Sequence, residues 1–365
     1  MENIREALDG FALFDPNWHS PHMPGRVGLT CTLFFRGGHL PEVRENVYEC
    51  IREYREILGD RARCCLLPPG RVVRAGKKGL PLLTEEHVLK AQHKGEDSAE
   101  YILTSAEELG YRDSETQPPT PDNLLWTELY LNSPPSYSRS YPCPGVASRV
   151  PLDKQISMLF AGFAPSLFLL NEQPLSFVEL VLRWTARLRP VSGFAGWGVM
   201  YTPDPYLREE VKQCIAPYLL RFPGLSLTDA TWLSNFFAGH IATINWLTMI
   251  NEELAARIGG PERLASLGRD CPITPYPGGY VIQAGPRPEI GDRNRGEIPL
   301  FYRRVHELLR PLYPPQTCLY YLASCLLPPD YVPKDEKAEN RQALHAYFDQ
   351  WMRRFEQPET TDGTA

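Results

Sequence analysis

The apolar positions along this chain fall into short blocks separated by glycine and proline, and the period of each block predicts its element. Val27 to Phe35 (VGLTCTLFF) is rich in β-branched and aromatic residues and predicts a strand ended by Gly37-Gly38. Pro41 then opens a helix to about Leu58, with Val43, Val47, Cys50, Ile51, Tyr54 and Ile57 at helical spacing and Gly59 after it. Cys64 to Leu67 returns as a second strand, and Asn123 to Leu131 reads as a strand or short helix. The second half repeats this grammar. Gln155 to Phe163 predicts a strand, and Ser176 to Leu188 a helix with Phe177, Leu180, Val181, Trp184 and Leu188 on one face. Gly193 to Tyr201 predicts a strand whose Gly193, Gly196 and Gly198 imply close backbone approach or a bulge. Asp204-Pro205 opens a helix through about Leu220. Ile241 to Trp246 is expected as a strand and Leu247 to Ile258 as a helix stopped by Gly259-Gly260. Lys334 to Phe355 reads as an amphipathic, charge-rich helix.

The densest chemistry lies in one stretch, GGYVIQAGPRPEIGDRNRGEIP, residues 278 to 299. Tyr280-Val281-Ile282 reads as a buried strand. Gly285, Pro286, Pro288 and Gly291 together forbid a ladder or a helix, so Ala284 to Gly296 is expected as an ordered loop. That loop carries Arg287, Glu289, Asp292, Arg293, Asn294, Arg295 and Glu297. Asp292 and Asn294 have the chemistry to cap the helix that follows. That helix is expected from Pro299 to residue 312, with Leu300, Val305, Leu308 and Leu309 as its apolar stripe. A loop between a strand and a helix is a common place for function.

Strand–helix–strand units recurring at unequal spacing predict an α+β protein. Its sheet is expected to be mixed or antiparallel with helices packed on one face, an arrangement that admits a ferredoxin-like duplication. Residues 1–145 form the expected N-terminal half, 146–330 the C-terminal half and 331–355 a terminal helix, with residues 356–365 a frayed tail. Residues 132–151, rich in Pro, Ser and Tyr, connect the halves.

Composition adds three constraints. The 365 residues include 36 prolines, which are scattered and therefore mark rigid turns rather than a linker. A net charge of −6 argues against general nucleic-acid binding and suits a basic protein partner. Nine cysteines with no C-x-x-C, several of them (Cys31, Cys50, Cys214, Cys318, Cys325) inside apolar patterns, fit reduced thiols in the cytoplasm. The N-terminus shows no signal peptide, and the apolar run Ile156 to Leu170 is too short to span a bilayer. Residues 85–122 hold ten acidic side chains against three basic ones, a local charge of −7. They read as a solvated helical face with a loop, or as an acidic surface for a basic partner, with Glu96, Asp97, Glu107 and Glu108 as its candidate contacts.

Catalytic signatures fare poorly. The chain has no G-x-S-x-G, H-E-x-x-H, Walker loop or G-x-G-x-x-G. Asp15, His19 and His22 have metal-capable spacing but no fourth ligand nearby, so no metal or cofactor site is expected. Asp204 with Glu210-x-Lys212, and Asp330 with Asp335-Glu336-Lys337, spell the PD-(D/E)xK nuclease pattern. Both second elements fall in predicted helices six residues on, where acids at a helix start explain them better. His240 and His306 read as satisfied core or interface histidines.

Asn245-Trp246-Leu247-Thr248, Leu254, Ile258-Gly259-Gly260, Ile282-Gln283-Ala284-Gly285, Pro288, Gly291-Asp292-x-Asn294, Pro299, Tyr302, Leu308 and Pro311 carry a family resemblance, with Phe194 to Met200 as an upstream strand. Over about residues 150 to 315 the chain resembles the bacterial type VI secretion immunity proteins that neutralise VRR-Nuc nuclease effectors, the TsiV family. The resemblance implies a non-enzymatic inhibitor with no cofactor. It would bind a cognate nuclease effector, contacting neither nucleic acid nor membrane itself, and cover the effector's active cleft. Its candidate contacts are Arg287, Glu289, Asp292, Arg293, Asn294 and Glu297, and secondarily the four acids named above. The competing readings are a metal-dependent nuclease or other hydrolase, and a secretion-system adaptor or scaffold.

Overall fold

The computed structural model describes residues 25–38, 40–59, 64–67, 71–74, 99–104, 128–133, 156–169, 176–201, 217–227, 239–314, 342, 346–347 and 349–356. Among the described residues eleven strands form one sheet: β1 (Gly25–Arg36), β2 (Cys64–Leu67), β3 (Arg71–Arg74), β4 (Ala99–Thr104), β5 (Glu128–Ser133), β6 (Ile156–Phe163), β7 (Ser192–Tyr201), β8 (Ser226–Leu227), β9 (Leu247–Asn251), β10 (Ile273–Tyr276) and β11 (Gly279–Gln283). The order is β10-β11-β9-β7-β1-β6-β5-β4-β2-β3, with β8 alongside β7. Among the described residues only β7 and β8 run parallel; the other neighbours are antiparallel. The α+β class with an essentially antiparallel sheet is therefore as the sequence implies.

The helices are α1 (Pro41–Leu58), α2 (Phe177–Leu188), α3 (Glu252–Arg257), α4 (Gly260–Ala265) and α5 (Leu300–Leu309), with a short turn at Ser166–Leu169 and a 3-10 turn at Arg310–Leu312. β1 lies between β6 and β7 and is antiparallel to both, so β6 and β7 are parallel to each other. α2 connects them, which makes a split β-α-β unit. β1 from residue 27 to 35, all of β6 and β7 from 192 to 200 are buried on both faces. This is why those segments read as unbroken apolar runs rather than alternating ones.

Phe163 shows how one face is covered. Leu29 stands opposite it in the ladder, and Tyr54 of α1, Phe177 and Trp184 of α2, and Phe168 pack around its ring at 5.2 to 6.1 Å. Tyr54 also donates to the Gly162 carbonyl at 3.1 Å. Glu53 of α1 ties the two helices together, accepting from Trp184 Nε1 at 2.8 Å and from Arg183 and Arg187 at 3.0 and 2.9 Å. Ser176 and Glu179 form the reciprocal capping box that starts α2.

Three expectations fail locally. Ile241 to Trp246 is not a strand, and Leu247 does not open a helix. The strand is β9, whose Leu247 to Ile250 are fully buried between β7 and β11. A short run buried on both faces has no period to distinguish strand from helix. Asn251 then caps α3, accepting from Leu254 N–H at 2.9 Å. Within the acidic segment, Ala99 to Thr104 is a strand paired with β2 and β5 rather than part of a helical face. On α5 the inward stripe is Tyr302, Val305, His306 and Leu309, while Leu300 is 61% exposed. Leu300 lies two residues before Tyr302 at the helix start, on the opposite face.

Asp15, His19, His22, Asp204, Glu210, Lys212, Asp330, Asp335, Glu336 and Lys337 lie outside the described residues, as do Cys214, Cys318 and Cys325. Cys31, Cys50 and Cys271 are buried free thiols. Among the described residues no helix is long and apolar enough to cross a membrane, and no group of three His, Cys, Asp or Glu side chains could hold a metal ion.

Candidate functional site

The loop after β11 is a closed excursion. Its two ends meet where Gly285 lies against the Phe301 ring and Gly291 against Pro299. Both glycines have positive φ, 85° and 69°, and a side chain on either would strike these neighbours at 2.6 Å. At the tip, Asp292 and Glu297 exchange backbone hydrogen bonds, N–H to O at 2.8 Å and O to N–H at 2.9 Å. Between them Arg293–Arg295 forms a 3-10 turn closed by Gly296 at φ 72°.

Buried carbonyls fix the loop to the sheet. Trp246 Nε1 donates to the Gly285 carbonyl at 2.9 Å and Trp197 Nε1 to that of Pro288 at 3.3 Å. Gly224 N–H donates to the Ile290 carbonyl at 2.7 Å. Tyr302 of α5, fully buried, accepts from Glu289 N–H at 3.2 Å and donates to Asn245 Oδ1 at 3.4 Å. Burial pushes the Tyr302 phenol well up, so it stays a neutral donor.

Asn245 is the joint of this region. It has no exposed surface. Its Nδ2 donates to the Trp197 carbonyl at 2.8 Å and to Ser226 Oγ at 2.9 Å, and its Oδ1 accepts from Trp246 N–H at 2.7 Å. One side chain thus joins β7, β8, the start of β9 and, through Tyr302, α5. Gly196 is the reason it fits: a Cβ there would lie 2.1 Å from Asn245 Oδ1. The close approach expected from the β7 glycines is real at Gly193 and Gly198 too, against the Thr32 carbonyl and the Thr30 hydroxyl.

The predicted contact residues divide by direction. Asp292 is buried at 6% exposure and works inward. Arg221 closes a two-point fork on it, Nε to Oδ1 at 3.1 Å and Nη2 to Oδ2 at 2.7 Å. Asn294 N–H donates to Oδ1 at 3.0 Å, and Arg295 Nε lies 3.7 Å from Oδ2. Burial pushes the Asp292 carboxyl up, but the Arg221 hydrogen bonds, the Asn294 N–H and the two guanidinium charges outweigh it and hold it below the usual aspartate value. Asp292 thus caps the 3-10 turn, not α5. Arg293 is half-buried and donates to the Arg353 carbonyl at 3.1 Å. Arg287, Asn294, Arg295 and Glu297 are exposed, and Glu289 is intermediate. Glu96, Asp97, Glu107 and Glu108 lie outside the described residues.

Sequence reasoning missed Arg221 and Arg354. Arg354 is fully buried, donating to the carbonyls of Pro223 and Trp351 at 3.0 Å each and to Thr243 Oγ1 at 2.6 Å. Its guanidinium lies over the rings of Trp351 and Phe355 at 4.0 and 4.3 Å. Burial lowers its pKa to about 10. The signal available in sequence was an arginine inside an aromatic run, Trp351-Met352-Arg353-Arg354-Phe355.

The whole arrangement is a sheet presenting one braced, charged loop, and among the described residues no group of three His, Cys, Asp or Glu side chains could hold a metal ion. Residues 150–322 match the model of the TsiV family, described as type VI immunity for VRR-NUC. The match spans β6 to α5 and contains the entire loop. A type VI secretion system protein of Pseudomonas aeruginosa shares the fold, with a TM-score of 0.65 at 20% identity over 91% of this chain and 84% of that one. No curated protein matches in sequence.

Proposed function

We propose that this chain is an immunity protein that binds a cognate VRR-Nuc effector of a type VI secretion system and covers its active cleft with the loop of residues 284–299. The observation that carries the reading is that this loop, inside the family-matched portion, is braced by bonds from four separate elements while Arg287, Asn294, Arg295 and Glu297 face solvent. Pre-ordering a contact loop removes the conformational cost that a mobile loop would bear on binding. The chain transforms no substrate of its own and acts in the cytoplasm, where a nuclease would find its target.

Co-expression with the nuclease encoded beside this gene tests it. The chain should restore growth, and the purified pair should co-elute and lose nuclease activity in proportion to added chain. Failure of both rescue and co-elution would reject the reading. Magnesium-dependent cleavage of DNA by the isolated chain would reject its non-enzymatic part.

A further inference from the structure

We propose that the tip of the 284–299 loop is a preformed cationic knob, built from Arg221, Arg293, Arg295 and Arg353, that seats on a carboxylate-rich patch of the effector protein. The inference rests on the immunity reading and adds the sign and chemistry of the contact. Asp292 gathers two of the four guanidinium groups, Arg221 at 2.7 Å and Arg295 at 3.7 Å, and is itself buried beneath them. Arg293 reaches the backbone of Arg353 at 3.1 Å, which brings the 349–356 segment to the same tip. Arg221 and Arg295 keep 41% and 46% of their side chains exposed, and Arg353 is exposed.

Four positive groups against Asp292, Glu297 and Glu356, whose N–H donates to the same Arg353 carbonyl, leave a local charge of +1 on a chain of −6. The sign is opposite to that of a surface that mimics phosphate to enter a basic groove. Guanidinium groups favour planar, two-point pairing with carboxylates, and those of Arg221 and Arg293 are already held by hydrogen bonds to Asp292 and to the Arg353 carbonyl. The overall negative charge of the chain disfavours a long polyanion at the same site and leaves a localised acidic protein patch as the fitting partner.

The test measures affinity for the nuclease encoded beside this gene, using the full chain as wild type, Arg353→Glu, Arg295→Gln and Glu297→Lys, each checked for unchanged melting. Arg353→Glu and Arg295→Gln should each weaken binding by about tenfold or more, chiefly through the association rate, and the wild-type affinity should fall as salt rises. Glu297→Lys should tighten it. Unchanged affinity in both arginine variants, or weakening by Glu297→Lys, overturns this inference while leaving the immunity reading in place. Absence of wild-type binding overturns both. A labelled DNA duplex that binds the wild-type chain and is released by Arg353→Glu would assign the knob to phosphate instead and overturn it as well.

Discussion

Arg221 and Asp292, 71 residues apart in sequence, meet in a two-point fork that closes the tip of the loop onto the helical turn at 217–221. The carboxylate serves both the guanidinium and the Asn294 N–H, so its removal takes the fork from a half-buried cation and the acceptor from a turn donor together. Asp292→Ala should therefore cost about 1–3 kcal/mol in urea denaturation. It should also loosen the 3-10 turn, seen as faster amide exchange at Asn294 and Gly296. Because the folded carboxyl is held below its ordinary value, the fork's contribution is complete above about pH 4 and is lost as pH falls through the lowered folded value. The stability gap between wild type and Asp292→Asn should accordingly be full at pH 7 and shrink on strong acidification.

Asn245 carries a larger share. Asn245→Ala leaves the Trp246 N–H and the Tyr302 hydroxyl without their acceptor and takes one of two side-chain donors from the Trp197 carbonyl, which keeps only Ser226 Oγ, in a fully buried site. Each buried orphan costs about 1–3 kcal/mol, so a loss of about 3 kcal/mol or more is expected in chemical denaturation. Asn245→Asp should be as harmful, because it keeps the shape but places a charge on a fully buried site and removes the two Nδ2 donors.

Gly196 sets the clearance for that side chain. With φ at 150° and an added Cβ 2.1 Å from Asn245 Oδ1, Gly196→Ala must displace an amide that is held by hydrogen bonds to Trp197, Ser226 and Trp246. Strain of this kind costs about 1–3 kcal/mol or more. Gly59→Ala meets empty space at its own positive φ of 54°, so it should cost only the backbone strain. The two melting temperatures should separate clearly, with Gly196→Ala the lower.

Which of these relationships a reader of the sequence could see follows from their range. α1 and α2 announced themselves because their apolar positions keep helical spacing and their ends carry Pro41, Gly59 and the Ser176–Glu179 box. β1, β6 and β7 were legible as apolar runs ended by glycine or proline. β9 was not, because burial on both faces erases the alternation that marks a strand, and its neighbours β7 and β11 are non-local. The loop was legible as a loop, a local property, but Asp292, expected to cap the helix that follows, caps the 3-10 turn within the loop instead. The loop's anchors were not legible: Asn245 reaches Trp197, Ser226 and Tyr302 at separations of 48, 19 and 57 residues, and no local pattern encodes such pairings.

His306 offers a pH-dependent measurement independent of the loop. It is 3% exposed on α5, with Nδ1 3.1 Å from the Tyr313 hydroxyl and the Phe355 ring 5.4 Å away. Burial first, then the nearby Arg354 and Arg310 charges, push its pKa down to about 3. The folded protein therefore holds the ring neutral while the unfolded chain takes up a proton near pH 6.5. Stability from this site is whole above pH 6.5 and declines as pH falls, by up to about 1.4 kcal/mol per pH unit, until the folded value is reached. This window lies above that of Asp292, so the two are separable. His306→Gln, which keeps a polar contact to Tyr313 but does not titrate, should start from a lower stability at pH 7.5 and show a flatter decline between pH 6.5 and pH 4.5. A variant that declines as steeply as wild type over that interval would locate the acid sensitivity elsewhere.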